Sequence, residues 1–188
     1  MNFSKVLLIE LIIAVTLCSC GNNGNDKSNT NSTKYNPRVI ASDKEIVTYQ
    51  VDDGKVETDL FKLQIPEDYS VDSTIDNFSL KNNSKGITIS IEENMDSDFN
   101  PDSYTEMLKQ QFSAFGISVT EDDEIDFSGV RARRISIKSL KSISENESMY
   151  CYLIPSINKY LIVSVSLVND TAASLSEAKE IVDSIIIK

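Results

Sequence analysis

Period-two alternation of apolar and polar residues is the feature that most constrains this chain. Ile87, Ile89 and Ile91 point one way while Thr88, Ser90 and Glu92 point the other, and Leu161, Val163, Val165 and Leu167 form a second stripe of the same kind. Such a pattern sits still only as a strand with one face buried. It recurs along the chain, with strands predicted at Ile46–Val51, Leu60–Pro66, Phe78–Lys81, Gly86–Glu92, Ile117–Thr120, Val130–Ser139, Ser148–Ile154 and Tyr160–Leu167. Asp52-Asp53-Gly54 and Ser128-Gly129 are turn signals, and the second joins Glu124–Phe127 to Val130–Ser139 as a hairpin. That register sets Asp126 opposite Arg131 and Glu124 opposite Arg133, with a bulge expected where the alternation slips between Arg133-Arg134 and Ile135. Short turns between strands argue for an antiparallel sheet, covered on one face and wetter on the other.

Two segments break the strand period. Pro101–Phe115 carries Tyr104, Met107, Leu108, Phe112 and Phe115 at helical spacing, with Asn100 as N-cap and Gly116 as C-cap. Leu175–Ile186 repeats the pattern with Leu175, Ala178, Val182 and Ile185, opened by Ser174-x-x-Glu177 in the form of a capping box. Many strands with two amphipathic helices define an α+β fold, a central antiparallel sheet flanked by helices.

The start of the chain has another character. Lys5 precedes an apolar run from Val6 to Leu17, interrupted by Glu10 and too short for a helix that spans a bilayer, which takes about 20 apolar residues. The run ends in Leu17-Cys18-Ser19-Cys20, which resembles the lipobox of bacterial lipoproteins. On that resemblance 1–19 is a signal peptide, Leu17 and Ser19 are lipobox positions, and Cys20 carries the lipid that holds the protein on the extracytoplasmic face of a cell membrane. An uncleaved anchor and a soluble secreted form are the alternatives. Residues 20–38 are rich in Asn, Ser, Thr, Gly and Lys and read as a flexible tether. A single domain is expected over 39–188, about the size of one ordinary domain. Gly21 after the cysteine replaces the aspartate that retains many Gram-negative lipoproteins, and the Asn- and Lys-rich bias suits a Gram-positive source.

Charge and composition exclude several classes of function. The formal net charge is −11, which repels phosphate backbones and makes nucleic acid a poor partner. The same charge attracts no anionic lipid, so membrane attachment falls to the lipid. Histidine is absent, removing the commonest general base and the commonest metal ligand. Walker, Rossmann, nucleophile-elbow and zinc patterns are absent as well, so neither a cofactor nor a catalytic set is expected.

A few residues carry possible chemistry. Cys151 is the one thiol of the expected domain and reads as a buried strand cysteine; its neighbours Tyr150 and Tyr152 point to the opposite face, lining a shallow ligand surface or covering a helix. Asp96-x-Asp98-x-Asn100 opens like a calcium loop, but Pro101 stands in place of the turn glycine and Met107 in place of the bidentate Glu, so helix capping explains it and no metal site is expected. Glu121-Asp122-Asp123-Glu124 reads as a solvated loop. Arg131, Arg133 and Arg134 are three of only four arginines; they suit either contact with an acidic partner or pairing with Asp126 and Glu124 across the hairpin.

The order of elements resembles the PsbP-like fold, including its bacterial lipoprotein members of DcrB type. The likeness rests on Phe61-Lys62-Leu63-Gln64-Ile65-Pro66, the helix at Tyr104–Phe115, Ile125-x-x-x-Gly129-x-x-Ala132, and the closing Glu177-Ala178-Lys179-Glu180-Ile181 with Ser184-Ile185. It implies an α/β/α sandwich in proteins that assist or stabilise other proteins and usually lack catalysis. No functional residues of that family map onto this chain. The expectation is therefore a non-enzymatic, lipid-anchored lipoprotein that binds or steadies another envelope protein. Two alternatives are a small-molecule-binding lipoprotein serving a transporter and a hydrolase working with carboxylates alone.

Overall fold

A computed structural model describes residues 49–73, 77–94, 98–114, 117–139, 147–157, 159–168 and 170–188, all within the unit Glu45–Lys188. Leu17, Ser19 and Cys20 lie outside the described residues, as do the expected tether over 20–38, the expected domain start near Val39 and Gly116, the expected C-cap.

Seven strands form the larger sheet: β4 (Ser70–Ser73), β5 (Phe78–Asn82), β6 (Ile87–Asn94), β7 (Ile117–Phe127), β8 (Val130–Ser139), β9 (Ser148–Ser156) and β10 (Lys159–Leu167). Their order is β4-β5-β6-β10-β9-β8-β7, and every neighbouring pair is antiparallel. A smaller sheet runs β1 (Val51–Asp52), β2 (Lys55–Glu57), β3 (Phe61–Gln64) and β11 (Ile186–Ile187). Two helices complete the described fold, α1 (Pro101–Ala114) and α2 (Ala172–Asp183).

Alternation decides which side chains meet. The ladder aligns Phe78 with Ile91, Ile91 with Val163 and Val163 with Tyr152, so these stripes share one face. That face is buried together with Ala178, Ile181 and Val182 of α2 and with Val56, Phe61 and Leu63 of the smaller sheet, in one core cluster. On the opposite face, Ile135 and Ile137 of β8, Cys151 and Leu153 of β9 and Ile162 of β10 are buried, and α1 contacts β7 at the edge of this sheet. Leu108 and Phe112 of α1 are buried too. Towards β5 and β6 this second face turns polar, and Ser79 and Ser90 are hydrogen-bonded to each other at 3.0 Å. The wetter face is thus half apolar under a helix and half hydroxyl-lined.

Local chemistry sets the ends of the elements. The turns Asp53-Gly54 and Ser128-Gly129 both hold positive φ at both central positions, the type I′ geometry that matches the twist of a hairpin. Asn100 Oδ1 accepts from the amides of Asp102 and Ser103, capping α1 as expected. Phe99 and Tyr104, at N′ and N4 of that helix, form a hydrophobic staple with ring centroids 5.3 Å apart.

Five expectations need correction. Of the strand expected over Ile46–Val51, Tyr49 and Gln50 are not strand, and β1 starts at Val51. Helix α2 begins at Ala172, and its capping box is Thr171 with Ser174, since the Thr171 side chain accepts from the Ser174 amide while the Ser174 hydroxyl receives the Thr171 amide. That frees Glu177 for tertiary bonds. The same helix stops at Asp183, and Ile186 leaves it to pair with Lys62 in the smaller sheet. The acidic run 121–124 is strand, not loop, because each of these carboxylates has a basic side chain within reach from β8 or α1. The bulge falls between Val119 and Glu121 on β7. The residues Arg133-Arg134-Ile135 stay in unbroken register because β8 is buried on both faces, Ala132 on one and Ile135 on the other.

Candidate functional site

The three arginines do different things. Arg131 is 80% exposed at its side chain and reaches Glu124 at 3.3 Å. Arg134 pairs with Asp123 at 2.8 Å and Glu121 at 3.7 Å. Arg133 is a hub: its Nε and Nη2 donate to the two carboxylate oxygens of Asp122 at 2.6 and 2.8 Å, and its Nη1 donates to Asp102 in the first turn of α1. Lys109 of α1 adds to Asp122 at 3.2 Å and to Glu106 at 2.8 Å. The residues opposite one another are those expected, Asp126 with Arg131 and Glu124 with Arg133. Arg133–Asp122 and Arg131–Glu124 run diagonally across that register, within the reach of long side chains, while Arg134 meets Asp123 directly opposite it. The Arg133 guanidinium holds the Asp122 carboxyl below the usual aspartate range. This arrangement pins α1 to the β7–β8 hairpin and leaves Arg131 as the most accessible of the three cations.

Cys151 is buried on the α1 side of the sheet, hydrogen-bonded to Ser164, and burial pushes its thiol up to about 12. A thiol held neutral in this way is a poor nucleophile. Tyr150 and Tyr152 face the other way, as expected, but both are buried in the core cluster and line no ligand surface. Of the calcium-like triplet, Asp96 lies outside the described residues, Asp98 is exposed and Asn100 is spent on the helix cap. Among the described residues no three acids, cysteines or histidines converge as metal ligands would.

A polar knot closes one end of the fold. Tyr69 donates to Glu177 of α2 at 3.0 Å, Lys85 bridges Glu177 at 2.8 Å and Asp68 at 2.7 Å, and Asn82 donates to Asp68 at 2.9 Å. Burial, then the Glu177 carboxylate, raises the Tyr69 phenol. Every member has its partner, so the knot ties the β3–β4 and β5–β6 turns to α2.

An open groove of about 730 Å³ lies elsewhere, lined by Val130, Pro155, Ile157, Ile185, Ile186 and Ile187, with the small residues Ser128 and Ser156. Ile157, in the β9–β10 turn, is 83% exposed, and Ile186 is 61% exposed. These are the two most exposed large hydrophobic residues among those described, and the fold brings them to one place. Its two charged residues are compensated from outside it: Asp183 by Lys179 at 3.0 Å and Lys188 by Glu57 at 2.8 Å. The site is hard to see in the sequence because Ile186 continues the helical spacing of α2 and 155–159 has the form of a plain connecting turn. Ile157, a large apolar residue in a short polar turn, was the available signal.

No family model matches the chain, and no curated protein matches it. Among solved structures, cyanobacterial PsbP (CyanoP) from Synechocystis sp. PCC 6803 superposes with a TM-score of 0.55 at 11% identity, over 81% of this chain and 100% of that one. The chain has the PsbP-like fold. At 11% identity the likeness to CyanoP speaks for the PsbP-like architecture alone. Two further structures are more distant. LpqN of Mycobacterium tuberculosis, involved in cell envelope biogenesis, gives a TM-score of 0.45 at 14% identity over 68% of this chain and 83% of its own. The Saccharomyces cerevisiae Ran-binding protein Mog1p gives 0.45 at 8% identity over 68% of this chain and 89% of its own.

Proposed function

We propose that this PsbP-like domain is a non-enzymatic binding module, held at the extracytoplasmic face of a cell membrane by a lipid on Cys20, that binds or steadies another protein of the envelope. The observation that carries the binding role is the groove where Ile157 and Ile186 stand exposed together. Large apolar residues gathered at one open site mark interaction surfaces in proteins that otherwise keep them apart. The chemistry of the chain supports the non-enzymatic reading: it has no histidine, and its thiol at Cys151 is buried.

The anchor rests on the Leu17-Cys18-Ser19-Cys20 tetrad and the polar tether behind it. One diacylglyceryl group inserts two acyl chains, which is what stable attachment takes. Mass spectrometry of the mature N-terminus is expected to find diacylglyceryl on Cys20; a chain that begins elsewhere and bears no lipid overturns the anchor. Pull-down from detergent-solubilised membranes is expected to return one envelope protein repeatedly, and the repeated absence of any specific partner overturns the binding role.

A further inference from the structure

We propose that the groove beside β11 receives an extended, uncharged, apolar peptide segment of the partner, which pairs with β11 as an added strand. The inference rests on the protein-binding reading above and names the surface and the chemistry of what it takes.

Backbone geometry comes first. Strand β11 is the last strand of the smaller sheet and pairs with β3 on one side. The Lys188 amide donates to the Leu60 carbonyl at 2.9 Å, which makes Lys188 a hydrogen-bonded position of that ladder. Hydrogen-bonded positions alternate in an antiparallel pair, so Ile186, opposite Lys62, is one also, and the N–H and C=O of Ile187 point away from β3. The groove lies on that outer side: Ile185 to Lys188 line it, and no residue of β3 does. It therefore presents one backbone donor and one backbone acceptor beside an apolar wall. An extended peptide satisfies both requirements, which is the logic of strand addition at a sheet edge. An acyl chain fills the wall but leaves the peptide groups unmet.

Charge narrows the occupant. In a chain of net charge −11 the charged side chains of this site are already paired, Asp183 with Lys179 and Lys188 with Glu57. A lysine or glutamate side chain laid here finds no counter-charge and loses water. The segment that fits is uncharged, with alternate apolar side chains set towards Val130, Ile157 and Ile186. The acid-rich strand β7, an edge of the larger sheet, shows the contrast, since its charges guard against such pairing.

The test uses the full lipidated protein in phosphatidylcholine nanodiscs and a fluorescein-labelled peptide, Thr-Val-Thr-Val-Thr-Val, followed by fluorescence polarisation. Saturable binding is expected, weakened about tenfold or more by Ile157→Lys or Ile186→Lys and unchanged by Val71→Lys, an exposed site outside the groove. Methylating alternate amides of the peptide, or replacing its valines with lysine, is expected to weaken binding to a similar degree. Absence of saturable binding overturns the proposal, and so does binding that ignores both groove substitutions or matches that to empty discs, which is lipid partition. The pull-down separates this failure from failure of the broader role. A partner still captured by the Ile186→Lys protein places recognition on another surface and refutes the groove alone.

Discussion

Replacing Arg133 by Met removes the hub that joins three elements while keeping an unbranched apolar stem of similar reach. Two hydrogen bonds to Asp122 and one to Asp102 are lost, and Asp122 keeps only Lys109 at 3.2 Å. The side chains of Arg133 and Asp122 are each 23% exposed, so the pair is partly shielded from water. Exposed ion pairs contribute about 0.2–1 kcal/mol, and hydrogen bonds to charged groups about 1.5–3 kcal/mol. A bidentate, partly shielded pair falls between, at about 1–2 kcal/mol. For a domain of this size that lowers the thermal midpoint by roughly 3–8 °C. The control is Arg131→Met, whose single exposed pair at 3.3 Å is expected to cost at most about 0.5 kcal/mol. Calorimetry on both variants, with a double-mutant cycle between Arg133→Met and Asp122→Asn, measures the coupling directly. Acid supplies a second arm. The folded-state carboxyl of Asp122 lies below its ordinary value, so its contribution is full above the unfolded pKa, near 3.8, and is lost as pH falls through the lower folded value. The midpoint difference between wild type and Arg133→Met therefore shrinks as acid is added below about pH 4. Equal losses for Arg131→Met and Arg133→Met, or a cycle with no coupling, would refute the hub.

Two further outcomes follow from the same geometry. Cys151 is expected to resist iodoacetamide in the native protein at neutral pH and to react fully in denaturant, as counted by mass spectrometry; prompt native alkylation contradicts its burial and its raised thiol. Gly129→Ala, at φ +85°, is expected to cost about 1–2 kcal/mol in urea denaturation although a methyl group there meets nothing within 4 Å, while Ser128→Gly, at φ 52°, stabilises by a few tenths. If both changes prove neutral, backbone strain is not what selects this turn.

Much of the fold was legible because strand and helix periods are local properties. The stripes Ile87–Ile91 and Leu161–Leu167, the Ser128-Gly129 turn and the Asn100 cap each depend on neighbours in sequence, and each stands where alternation and capping rules put it. The hairpin register followed from its two-residue turn, which fixed Asp126 against Arg131. Elements decided by distant partners were not legible. Strand β11 is two residues whose helical spacing is good, and only pairing with Phe61 and Lys62 makes them a strand.

The sequence by itself carries the class of fold: strand and helix periods that build an α+β domain, behind an apolar run that ends at Leu17–Cys20 and a polar stretch. Tertiary packing settles where the surface is used up and where it is open. Arg133 looked as available as Arg131 until Asp102 and Asp122 closed around it. Ile157 and Ile186 looked unrelated until two sheets brought a turn and an edge strand together. The difference is physical. Periodicity reports which face of an element avoids water, but the partner that covers that face lies far along the chain, and so does its absence.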